Sequence, residues 1–210
     1  MDANFWHKKW ESNNIGFHQK QVHPLLVAHF PALNLPYGGR VFVPLCGKTL
    51  DIGWLLDRGY RVAGVELSEL AIKQLFAELG ITPNIMISER IKHYYAPNID
   101  IFVGDIFDLS HAMLGAVDAI FDRAALVALT PPARADYARH LIALTDSAPQ
   151  LLISYDYDQT IMQGPPFAVS SAEIHQHYQA TYQIACLSSL DDVLRETYTI
   201  QENVWLLTPA

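Results

Sequence analysis

The residues best suited to chemistry in this chain are a glycine and a few acids and arginines, each placed where an apolar run ends. Gly47 sits in Leu45-Cys46-Gly47-Lys48-Thr49, just past the run 40–45, and Glu66 closes the run 61–66, nineteen positions later. A glycine there permits a tight turn and close backbone approach. A carboxylate ending the next run suits acceptance of both ribose hydroxyls of an adenosyl group. Asp105, in Gly104-Asp105-Ile106-Phe107-Asp108, follows in the same order. It is placed to meet an adenine amino group, with Ile106 packing on the ring. Plainer readings stand beside these: a strand–turn–helix crossover with a surface carboxylate for Glu66, and a strand-end turn for Asp105.

Three cofactor chemistries compete for the loop. Gly47-Lys48-Thr49 matches the end of a phosphate loop, but that motif needs glycine where Phe42 stands. A dinucleotide fingerprint needs repeated glycines to admit a pyrophosphate, and this loop has one glycine and a bulky Leu45. S-adenosylmethionine carries no phosphate and needs less room, so the loop suits it best.

These residues need a scaffold of alternating strands and helices. Strands are predicted over 40–45, 61–66, 91–95, 99–103, 117–122, 150–155, 182–187 and 203–208. Helices are predicted over 50–57, from Ser68 as N-cap to Leu79 with Gly80 as the stop, over 132–144 and from about Ser171. Ile72, Leu75, Phe76 and Leu79 recur at helical spacing. Alternation of this kind implies an α/β fold with right-handed crossovers on a mostly parallel sheet, closed by an antiparallel hairpin at one edge.

Composition narrows the function classes. At 210 residues, half of them hydrophobic, the chain is sized for one domain over 1–210 with an ample core. Its formal charge of -8, with 14 Lys and Arg, argues against nucleic acid as partner. No apolar run approaches the ~20 residues needed to span a bilayer, and the N-terminus lacks a signal-like pattern. Cys46 and Cys186 form no disulfide framework. A soluble, cytoplasmic, monomeric protein acting on a small molecule is the expectation. No metal is expected: the nine histidines are scattered, and His175 and His177 lie two apart on a predicted helix, on different faces. Cys46 reads as a small packing residue.

A longer pattern joins these pieces. It comprises Phe5-Trp6 with Trp10, Ile15-Gly16-Phe17-His18, Val43-Pro44-Leu45-Cys46-Gly47-Lys48, Gly64-Val65-Glu66-Leu67-Ser68, Asp105-Ile106-Phe107-Asp108, Asp122-Arg123-Ala124-Ala125-Leu126, Ser154-Tyr155-Asp156 and Gly164-Pro165-Pro166-Phe167. On these residues the chain resembles the thiopurine S-methyltransferase family, in its bacterial members, nearly end to end. It departs at Ala124, where several members have glycine, which bears on the acceptor pocket.

The resemblance implies a Rossmann-like class I methyltransferase, seven-stranded with helices on both faces. Residues 1–35 would form a helical cover. It further implies cofactor contacts from Trp10, Leu45, Glu66, Ile106 and Arg123. Trp10 also reads as a core aromatic of an amphipathic helix, and Arg123 as a surface ion pair with Asp122. The reaction would be in-line methyl transfer to a thiol sulfur of an aromatic or heterocyclic acceptor, extending to selenium or tellurium compounds. Alignment would supply most of the catalysis. Arg123 would hold an anionic acceptor or assist its deprotonation through water. Arg195 is a second candidate for that task, with a solvated helical arginine near Asp191 and Asp192 as the alternative. Phe17, His18 and Phe167 are candidates for an aromatic lid, with His18 equally readable as a general base. Methylation of halide or inorganic thiol, and a noncatalytic adenosyl-binding module, are the competing functions.

Overall fold

The structure is a computed structural model that describes residues 3–194 and 197–210. The first unit is strand β1 (Arg40–Val43), helix α3 (Leu50–Asp57) and strand β2 (Arg61–Glu66), preceded by α1 (Ala3–Glu11) and α2 (Pro24–His29). Thr49 caps α3 by accepting from the Asp51 N–H at 3.4 Å. Ser68 caps α4 (Glu69–Leu79), accepting from the Ala71 N–H at 3.3 Å, and Gly80 ends it at φ +67°. These caps are local chemistry, and those at Ser68 and Gly80 lie where the sequence predicts them.

The remaining elements are β3 (Asn84–Ile87), β4 (Lys92–Ala96), β5 (Ile99–Val103), the short α5 (His111–Leu114), β6 (Ala119–Arg123), α6 (Pro131–Leu144), β7 (Gln150–Asp156), α7 (Ser171–Tyr178), β8 (Tyr182–Leu194) and β9 (Tyr198–Pro209). One sheet runs in the order β3-β4-β5-β2-β1-β6-β7-β9-β8. The inner strands β5, β2, β1, β6 and β7 pair in parallel. Side chains alternate between the two faces. Val41, Val43, Phe121 and Ile153 pack with Leu26, Ile52 and Ile72 on one face, and Phe42, Ile120 and Leu152 pack with Tyr137, Leu141 and Ile174 on the other.

The parallel core and the C-terminal hairpin are as expected. The sheet has nine strands rather than seven, and antiparallel pairs close both edges. The one strand that no predicted apolar run covers is β3, whose four residues are all exposed, so no alternation in burial marks it in the sequence. The hairpin is also longer than predicted. Asp191 and Asp192 lie in β8, which removes the helical reading of that region, and Arg195 lies outside the described residues. Among the described residues, no helix is long and apolar enough to cross a membrane.

Candidate active site

The parallel strands reverse their order at β1, which lies between β2 and β6, and there the ends of β1, β2 and β6 converge. Such a switch point is where open α/β sheets take ligands. After β1 the chain passes through Leu45 at φ +48° and Gly47 at φ +51°. A Cβ on Gly47 would stand 3.0 Å from the Trp10 ring, so glycine is needed there for space as well as for conformation. Glu66 is buried. Its two oxygens accept the Gly47 N–H at 2.9 Å and the Ser68 N–H at 2.8 Å. Burial raises its pKa, and N–H groups of Ser68, Gly47 and Leu67 hold that rise back. An ionised carboxylate has about four acceptor sites, so each oxygen keeps capacity for a hydroxyl. The surface-carboxylate reading of Glu66 therefore fails.

Beside Glu66 lies a cavity of about 400 Å³ between the ends of β2 and β5. Leu67, Ser68, Val103 and Gly104 line it, and α1 contributes His7 and Glu11. Gly104 N–H donates to the Glu66 carbonyl at 3.0 Å, which joins the two strand ends. Asp105 caps the short turn Ile106–Asp108 by accepting from the Phe107 N–H, and Ile106 is buried. The strand-end turn reading of Asp105 is thus correct for its side chain, at the very edge of this cavity. The single-glycine loop and the spare acceptor capacity of Glu66 fit an adenosyl ligand without phosphates.

Arg123, the last residue of β6, sits across the cleft. It is only 9% exposed. Its Nη1 donates to the Phe17 carbonyl at 3.3 Å, and its buried Nε has no partner. Among the described residues no carboxylate pairs with it, although Arg40, Arg90, Arg134 and Arg139 all have one. The surface ion pair with Asp122 is absent. Asp122 is fully buried and turned toward α6, where it accepts the Tyr137 hydroxyl at 2.7 Å. Adjacent strand residues point to opposite faces, so the two cannot meet.

The aromatic candidates divide. Phe17 meets both Trp6 and Trp10 edge-on, with ring centroids 5.6 and 5.5 Å apart. Trp10 is thus a buried aromatic and also covers the glycine loop. His18 is half-buried. Burial and the charges of Lys48 and Arg123 lower its pKa against the opposing pull of Glu78 and Asp51, so its imidazole is neutral at neutral pH. Phe167 is held through its N–H to the Val127 carbonyl at 2.7 Å, just beyond Arg123 in the chain. Its ring fills the space over Gly164, where a Cβ would be 2.5 Å away. Cys46 is buried beside Glu66, and burial pushes its thiol well above the usual range, so it is no nucleophile at neutral pH. His177 bonds Glu173 at 3.2 Å, and no metal-holding group of ligands occurs among the described residues.

Several polar residues near the cleft escaped the sequence reading. Tyr155 lies next to the last residue of β7 with its hydroxyl against Arg123. Burial pushes its pKa up to about 12 and Arg123, which donates to the hydroxyl oxygen, opposes the rise, so the hydroxyl stays neutral. His23 donates its N–H to Asp51 at 2.8 Å and faces Glu202 at 3.3 Å, tying the N-terminal segment to α3 and β9. Tyr155 belonged to a recognisable motif, but Glu202 carried no local signal.

A parallel core with reversal at β1, an acid ending β2 and a phosphate-excluding loop define a class I methyltransferase that uses S-adenosylmethionine. Known proteins carry this further. The thiopurine S-methyltransferase family model matches residues 1–208. The thiopurine S-methyltransferase of Xanthobacter autotrophicus is 49% identical over 213 residues, covering 100% of both chains. That of Teredinibacter turnerae is 49% identical over 210 residues, covering 99% of this chain and 98% of its own. Among solved structures, a Burkholderia thailandensis 1,6-didemethyltoxoflavin-N1-methyltransferase with S-adenosylhomocysteine bound superposes with a TM-score of 0.69 at 14% identity, covering 99% of this chain and 87% of its own. Magnesium protoporphyrin IX methyltransferase from Synechocystis, also with bound S-adenosylhomocysteine, gives 0.66 at 15%, covering 99% and 100%. The chain belongs to the thiopurine S-methyltransferase family, and its activity is S-adenosylmethionine-dependent S-methylation of thiopurines.

Proposed function

We propose that the anionic sulfur acceptor is held by Arg123, opposite a cofactor gripped by Trp10, Leu45, Glu66, Asp105 and Ile106. The supporting observation is the buried Arg123 guanidinium with an unpartnered Nε and no carboxylate among the described residues. An uncompensated buried charge is unfavourable by several kcal/mol (about 3–5 when a partner is removed). A thiolate ligand supplies the missing charge. The cofactor contributes a methyl group on a sulfonium whose leaving group is a neutral thioether.

The chain's own part is binding and alignment. Glu66 accepts the ribose hydroxyls, and Ile106 and Trp10 exclude water. Arg123 stabilises the thiolate form of an aromatic or heterocyclic thiol, whose own acidity makes a strong base unnecessary. His18 is neutral and half-buried, so it belongs to the cover with Phe17 and Phe167. Arg195 remains a candidate second cation for the acceptor. Residues 1–35 act as a helical cover of the single domain 1–210, a reading supported by Trp10 over Gly47 and by the His23 ties. Flat selenium and tellurium nucleophiles fit the same scheme, whereas bisulfide or halide would leave the aromatic walls unfilled.

Labelled S-adenosylmethionine incubated with aryl thiols, bisulfide and halide, with products identified by mass, tests the acceptor. Thioethers should form from aryl thiols first. Preference for bisulfide, or binding of the cofactor with no product from any thiol, would sink the reading. Arg123→Ala should lose acceptor turnover by about 100-fold or more, and wild-type kinetics in that variant would remove Arg123 from the site. We also propose a cytoplasmic monomer, consistent with two free thiols. The exposed Ile85, Met86 and Ile87 of β3 are the surface that would overturn the monomer, and sedimentation velocity decides it.

A further inference from the structure

Asp122 is a fully buried carboxylate next to Arg123 that the proposed methyl transfer does not use. It stands beside Arg123 in β6 but faces the other side of the sheet. Its Oδ1 accepts the Leu126 N–H at 3.1 Å, and its Oδ2 accepts the Tyr137 hydroxyl at 2.7 Å. The Ala125 N–H also bonds it. These bonds span Ala124, which takes a left-handed conformation at φ +59° that an alanine adopts only under constraint. The next residues, Leu126–Ala128, form a single tight turn, and the Val127 carbonyl in that turn holds the Phe167 N–H at 2.7 Å.

We propose that Asp122 is a positioning residue of the acceptor half: its carboxylate pins the turn at Ala124–Leu126, which aims Arg123 into the cleft and seats Phe167. This rests on the reading of Arg123 as the acceptor's counter-charge.

A purely structural acid would be expected to gain stability from its charge, and Asp122 does not. Among the described residues nothing cationic faces it. The titratable groups around it are Tyr137 of α6 and Tyr178 of α7, both phenols with pKa pushed well up by burial. Burial also raises Asp122 itself, to about 6, against the pull of Tyr137 and the two N–H groups. A neutral acceptor would serve the core with less strain. What the carboxylate adds is the capacity to accept three donors at once, from the turn on one side and α6 on the other. It thereby fixes a strained turn between the only buried arginine lacking an ion pair among the described residues and an aromatic lid candidate.

The test uses the full chain with S-adenosylmethionine and an aryl thiol, and four variants: Asp122→Asn, Tyr137→Phe, Arg123→Ala, and Arg123→Ala with Asp122→Asn. Circular dichroism melting monitors the fold. Asp122→Asn should raise the acceptor KM about tenfold while the cofactor KM changes by less than about twofold. Tyr137→Phe should shift the acceptor KM in the same direction by a smaller factor. In the Arg123→Ala background, Asp122→Asn should add clearly less loss than in the wild type, since only its effect through Phe167 is left. An unchanged acceptor KM in Tyr137→Phe and in folded Asp122→Asn overturns the proposal, as does full additivity in the double variant. Should Asp122→Asn not fold, Tyr137→Phe alone decides. If Arg123→Ala behaves as wild type, the acceptor reading itself fails. If Arg123→Ala is impaired while the other single variants are not, only the positioning role fails.

Discussion

Glu66 and Asp122 are both buried acids near strand ends, and burial raises the pKa of both, yet in the proposed site they belong to opposite halves. Glu66 is answered by backbone N–H groups of Gly47 and Ser68, and its neighbours Leu67 and Ser68 line a cavity. Asp122 is turned away from the cleft and reaches a helix and a turn. In the proposed cofactor half, Leu45, Gly47 and Glu66 are tied together within 43–68, while Trp10 and Ile106 come from other segments. The acceptor half draws Phe17, Arg123, Tyr155 and Phe167 from four separate segments. Each half contains one non-glycine residue in the left-handed region, Leu45 and Ala124. In the cofactor half the polar groups are satisfied. In the acceptor half the Arg123 Nε is not, and the proposed anionic acceptor would answer that guanidinium.

The contrast breaks if damage to one half spreads evenly to both. The largest effect is expected from Glu66→Gln, which removes a charge bonded to two N–H groups. Cofactor affinity by calorimetry should fall about 100-fold, the equivalent of about 3 kcal/mol, while the acceptor KM moves little. An equal loss for both ligands would mean that the halves are one unit.

The acid of the other half should show itself in stability rather than cofactor binding. Folding raises the Asp122 pKa from 3.8 to about 6, so the folded chain holds that proton more tightly than the unfolded one. Both states are protonated below pH 4, and both are ionised well above pH 6. Wild-type stability relative to Asp122→Asn should therefore fall as pH rises through this window, by about 3 kcal/mol, and then level off. Denaturant titrations at several pH values would measure the gap, and a gap independent of pH contradicts a charged Asp122.

Gly47→Ala should destabilise by about 1–2 kcal/mol, because a Cβ at φ +51° also presses on Trp10. Cofactor should protect it less than wild type in thermal melts. Smallest is Ala124→Gly, which relieves the left-handed strain and should stabilise by about 0.5 kcal/mol after the entropy of the added glycine. A destabilised Ala124→Gly would show that the turn is not strained.

Much of this was legible in the residues alone because its causes are local. Apolar runs of strand length, the Ser68 cap and the Gly80 stop set the elements of the first unit, and the sparse glycine at 47 with Glu66 pointed to a phosphate-free cofactor. The edge strand β3 was not legible, since four exposed residues carry no burial pattern and form a strand only because β4 offers hydrogen bonds. Nor was the state of Arg123, whose pairing with Asp122 looked natural in sequence and was forbidden by strand alternation. The partners of His23, Asp122 and Tyr155 lie in distant segments, and only the packed sheet brings them within hydrogen-bonding reach. Local spacing determines which residues can turn, cap or coil. Which charges are left buried and unanswered is decided by long-range packing.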